Sequence, residues 1–74
     1  SNIFFIYRGT QLVRQVEDAI NESDTINEQT IATLTKMQEE MKQIDIRGSF
    51  ESDDEVGVVF KELKDTIEKY KTNL

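Results

Sequence analysis

Apolar residues recur along most of the chain at intervals of three and four, the spacing that places side chains on one face of an α-helix. Leu12, Val13, Val16, Ala19 and Ile20 form the first such set and predict a short amphipathic helix over residues 10–22. The polar stretch Asn21-Glu22-Ser23-Asp24 is rich in turn formers. Thr25-Ile26-Asn27-Glu28 then matches a capping box, in which the Thr25 hydroxyl accepts from the Glu28 amide and the Glu28 carboxylate reaches back. From Ile26 the pattern runs through Thr30, Leu34, Met37, Met41 and Ile44 in steps of three and four. That predicts a coiled-coil-like seam of about five turns. Its threonine and methionines pack less rigidly than a leucine seam, because methionine is an adaptable filler.

Residues 45–51 break the pattern. Ile46 and Phe50 stand four apart with Gly48 between them, predicting an irregular connector that tucks both apolar side chains against neighbouring helices. A second capping box follows at Ser52-Asp53-Asp54-Glu55, whose acids also suit the positive end of a helix dipole. Behind it Val56, Val59, Leu63, Thr66 and Tyr70 make a second seam, and Phe60, Ile67 and Leu74 lie beside it at sevens. So broad a stripe suits a helix with two neighbours, as in a four-helix bundle. Lys61 with Asp65, Lys64 with Glu68 and Asp65 with Lys69 form solvated pairs on the outer face, each adding a few tenths of a kcal/mol at most. The cluster Ile3-Phe4-Phe5-Ile6-Tyr7 has two readings: the inner end of a membrane helix with Tyr7 and Arg8 at the interface, or a short strand or plug. It is far shorter than the roughly 18–20 apolar residues a bilayer span needs.

Composition narrows the function. A chain of 74 residues makes one domain at most and buries little apolar surface alone. It contains no cysteine and no histidine, which excludes disulfides and the usual zinc ligand sets. Self-association or packing against other protein is therefore expected. With 9 Lys+Arg against 15 Asp+Glu the formal net charge is -6, and no basic stripe interleaves with aromatics, which argues against nucleic acid. The acid run Asp53-Asp54-Glu55 lacks the alternating ligands of a calcium loop, and no nucleophile or phosphate-cradling glycine loop accompanies it. No cofactor, metal or catalytic residue is expected.

Asp54-Glu55-Val56-Gly57 opening the second seam, the anchors Ile46 and Phe50, and the first seam Thr30, Leu34, Met37 and Met41 together resemble a HAMP domain, the signal-relay linker of membrane-bound sensor kinases and chemoreceptors. Thr30 stands where that family carries proline, and Ile44 where it carries the glycine before the anchors. The resemblance covers residues 28–74 and leaves 1–27 as an N-terminal segment with an additional helix. It implies an all-α fold in which two heptad helices per subunit, joined by a short connector, dimerise as a parallel four-helix bundle. Leu34, Met37, Met41, Ile44, Val59, Leu63, Thr66 and Tyr70 would form its core. It further implies a non-catalytic relay on the cytoplasmic side of the cell membrane. Such a relay would pass a conformational change from an upstream transmembrane sensor to a downstream output domain of the same parent chain. Glu55 has two roles open to it, capping the helix or touching the first helix, and Gly57 is either a tolerated glycine or a point of close approach. The alternative function is a small helical module that docks on a partner protein.

Overall fold

The computed structural model describes residues 3–48 and 55–74, which form three helices in an up-down-up bundle. Helix α1 spans Ile3–Asn21, α2 spans Glu28–Gly48 and α3 spans Glu55–Thr72. Among the described residues there are three helices and no strand, so the expectation of an all-α chain with an additional N-terminal helix holds. No helix among them is long and apolar enough to cross a membrane.

Two of the boundaries differ from those the pattern predicts, and a third expectation fails with them. Helix α1 begins at Ile3 and runs straight through Gly9, so Ile3 to Tyr7 is its first turns and not a strand. A glycine inside a helix costs about 1 kcal/mol against alanine, which packing can offset. Helix α2 is capped by Asn27 and not by Thr25: the Asn27 Oδ1 accepts from the Thr30 amide at 3.0 Å and from the Thr30 hydroxyl at 3.2 Å. Asparagine and threonine are both good caps, and here Asn27 stands three residues before the amide it serves. Residues 45–48 do not form a connector but continue α2 to Gly48. Ile46 consequently points outward and is 71% exposed, so it is not a tucked anchor. Phe50 and Ser52 to Asp54 lie outside the described residues.

The core consists of Leu12, Val16, Leu34, Met41, Ile44, Phe60 and Ile67. Phe5, Val13, Ala19, Ile20, Met37, Val56, Leu63 and Tyr70 are partly buried against it. Helix direction follows from the polar contacts between helices. Asp45 lies 3.7 Å from Lys64, whereas Gln38 reaches Glu68 and Lys71, so residue numbers fall on α2 as they rise on α3. Helices α2 and α3 are therefore antiparallel. On the other side Arg8 Nε donates to Glu40 Oε2 at 2.6 Å and ties α1 to α2. That half-exposed pair is worth about 0.2–1 kcal/mol at most. Lys64, expected to pair along its own helix with Glu68, turns instead to Asp45 across the helix interface.

Helices α1 and α3 meet at Gly9. A Cβ at this position would lie 2.9 Å from Val56 Cγ1 and 3.2 Å from Phe60 Cζ, so only glycine lets the two helices approach this closely. Valine is stiff about χ1 and cannot easily swing away. Gly9→Ala gains up to about 1 kcal/mol in helix propensity but overpacks the crossing by roughly 1–3 kcal/mol. The expected result is a net loss of about 1 kcal/mol, seen as a melting temperature lower by about 4–8 °C. Gly9→Leu is expected to prevent α1 from docking at all. A Gly9→Leu protein that melts like the parent would contradict this packing.

Candidate functional site

Helices α1 and α3 are parallel neighbours, each antiparallel to α2, and a surface groove runs between them. Ile6, Thr10 and Val13 line it from α1, and Glu55, Val56 and Val59 from α3. The groove exists because α3 carries more apolar surface than the three-helix core consumes. Phe60 and Ile67 are fully buried, while Val56, Val59, Leu63, Thr66 and Tyr70 are only half-buried along the neighbouring flank. Seven residues turn a helix by two turns less about 20°, so Val56, Leu63 and Tyr70 form one row and Val59 and Thr66 the next. The Thr66 hydroxyl donates to its own helix at Glu62 O (2.9 Å), leaving the methyl to face outward with the row. At the N-terminal end of α1, Phe4 and Tyr7 add exposed aromatic surface at 66% and 64%.

The residues implied by the resemblance are thus distributed over several places. Leu34, Met41 and Ile44 are buried in the core, and Met37 is half-buried beside it. Leu63 and Tyr70 are partly buried against the core, and Val59 and Thr66 are half-buried on the neighbouring flank of α3. Glu55 is exposed at the groove rim, and Val56 and Gly57 are half-buried in the first turn of α3. Asp54 and Phe50 lie outside the described residues, and Ile46 is on the outer surface of α2. A close approach between helices occurs at Gly9.

Ile6, Gly9 and Gln38 are the structurally telling positions that the seam pattern did not single out. Ile6, Val13 and Ile20 stand at sevens, a second apolar row on α1 that would have announced a helix with two neighbours. Gln38 occupies a core position of α2 and is 3% exposed. Its Nε2 donates to Glu68 Oε1 at 3.1 Å and to the Lys64 carbonyl at 3.4 Å, and its Oε1 accepts from Lys71 Nζ at 3.2 Å. The amide is satisfied on both ends, which is the condition for tolerating a buried polar group. Among the described residues no buried side-chain nitrogen or oxygen lacks a partner, and no group of three His, Cys, Asp or Glu could hold a metal ion.

No protein-family model, no curated protein and no solved structure matches the chain. The site is therefore read from its own geometry.

The Gln38 hydrogen bond, reinforced by the Lys71 ammonium, holds the Glu68 carboxyl below the usual glutamate range. Its folded pKa is depressed, so the stability it lends is present above the unfolded pKa and is lost as pH falls through the folded one. Glu68→Gln is expected to melt below the parent at pH 7 and to converge with it at low pH. Melting curves of the two proteins between about pH 7 and pH 3 check this, since glutamate normally titrates near 4.3. A difference that stays constant across that range would show that ionisation of Glu68 plays no part.

Proposed function

We propose that this chain is a non-catalytic helical interaction module that packs the groove between α1 and α3 against further helical protein. One observation carries the reading: α3 presents a second apolar flank along its whole length, at helical spacing, that the chain's own core leaves half-exposed. Scattered exposed apolar residues need no explanation, but a groove lined from two helices is the form a docking site takes. The small core adds to this, because chains of this size are commonly stabilised by a partner.

A signal relay between a membrane sensor and an output domain is the second reading. In its favour, α3 opens at Glu55 with Gly57 in its first turn, as the HAMP resemblance implies. It ranks second because the resemblance calls for helices packed in parallel, whereas α2 and α3 of the same chain run antiparallel.

Site-specific photo-cross-linking in expressing cells tests the module reading. A photoreactive residue replacing Val59, in the groove, is expected to give one discrete protein adduct whose cross-linked peptide is identified by mass spectrometry. The same residue replacing Lys36, exposed on α2, is expected to give none. Equal labelling at both positions, or no adduct at Val59, would remove the groove as a docking site.

A further inference from the structure

We propose that the groove is covered by a second copy of this chain, docked antiparallel so that α3 packs on α3 of the partner about Leu63. This rests on the module reading and names the occupant.

The half-buried flank of α3 is nearly symmetric along the helix. Val56 and Tyr70 each lie seven residues from Leu63, and Val59 and Thr66 lie four and three residues from it on opposite sides. A two-fold axis through Leu63 sets Leu63 on its own copy, Val56 against the partner's Tyr70, and Val59 against the partner's Thr66. A surface that matches itself on reversal is what an isologous interface requires. The larger tyrosine at one end fills the space left by the smaller valine at the other.

Charge selects the same direction. Glu55, Glu62 and Lys69 are exposed, stand at sevens and flank the apolar rows on the side where Glu55 lines the groove. Their sign reverses along the helix. An antiparallel pairing of α3 with α3 brings Glu55 beside the partner's Lys69, twice by symmetry, while a parallel pairing would set each of the three against its own kind. On α1, Gly9 lies opposite Val56 and Phe60, so Arg14 and Glu17 stand about level with Leu63 and Thr66. Both are exposed, and the same axis sets Arg14 near its own copy, with the partner's Glu17 within about a turn of it. Glu62 and Arg14 meet their own copies near the axis, whereas parallel packing of α3 on α3 would add like-charge contacts at Glu55 and Lys69 and form no Glu55–Lys69 pair. Such patterns set the direction and choice of partner in paired helices.

The bundle measures 38 × 19 × 16 Å, so a standard interface of roughly 800 Å² per partner would engage its whole long side.

The chain has no cysteine, so disulfide trapping has no background. Leu63→Cys alone, and an equal mixture of Val56→Cys with Tyr70→Cys, are expected to form disulfide dimers readily in the folded protein, with Tyr70→Cys alone remaining reduced. Ready cross-linking of Tyr70→Cys alone would overturn the antiparallel arrangement in favour of a parallel one. Sedimentation of the unsubstituted protein gives an independent reading. A dimer is expected at micromolar concentration, weakened about tenfold by Lys69→Glu and restored when Glu55→Lys is added, as two modest ion pairs per dimer would imply. A Lys69→Glu protein that dimerises as tightly as the parent would overturn the register. A chain that sediments as a monomer throughout would overturn the second copy as occupant. In that event a Val59 photoadduct to a different protein would leave the module reading standing, and its absence would remove both.

Discussion

The contact of Gly9 with Val56 and Phe60 determines how the rest of the molecule is arranged. Helices usually sit 8–10 Å apart, and the side chains at the crossing set the distance. With no Cβ at Gly9, α1 settles against the first turns of α3, and the Phe60 ring fills the space that a side chain would have taken. Phe60 is thereby fully buried, together with Leu12 and Val16 from α1 and Ile67 one heptad further along α3. The same approach rotates α3 so that its remaining apolar rows face sideways. Val56 and Val59 then form one wall of the groove, with Ile6 and Val13 as the other. The groove is a consequence of the crossing and not a separate feature.

Helix α2 completes the core from the opposite side and brings a different kind of constraint. Apolar seams tolerate sliding, because one methyl group packs about as well as the next. Gln38 does not. Its amide is buried and needs both the Glu68 carboxylate with the Lys64 carbonyl and the Lys71 ammonium, so a slip of one turn would leave it unsatisfied. Together with the Asp45–Lys64 pair, this gives the antiparallel α2–α3 register a polar key that the methionines of α2 cannot supply. The chain thus uses its polar key between α2 and α3 and its closest apolar contact between α1 and α3. Beside these two contacts the neighbouring flank of α3 stays half-exposed.

Much of this was legible in the amino-acid pattern. The two seams over 26–44 and 56–70 and the set at Leu12, Val16 and Ala19 are strongly periodic, and each lies on a helix. The breadth of the α3 stripe pointed to two neighbours, and the half-burial of Val59, Leu63, Thr66 and Tyr70 shows that stripe to exceed what one chain fills. Other features depended on tertiary contact and left weak local traces. Gly9 lies inside α1 although the pattern starts that helix at residue 10, because a glycine tolerated by packing and a glycine ending an element look alike in sequence. Gln38 has no local mark of burial, because its three partners lie 26 to 33 residues away in the sequence. Residues 45–48 read as a connector because of Gly48, although their backbone continues the helix at little cost. Helix direction was not encoded in either seam. An apolar stripe is compatible with parallel and antiparallel neighbours, and only the charged and polar residues at its edges distinguish them.

Helix α1 docks on α3 through Gly9, and proton NMR reads that contact without any substitution. Nuclear Overhauser contacts from the aromatic protons of Phe60 to the α-protons of Gly9, and from the Val56 methyls to the same protons, are expected to be strong. Phe60 contacts confined to α2 and α3, with Gly9 showing only its own helical neighbours, would mean that α1 does not form the third wall of the core. The groove would then not exist.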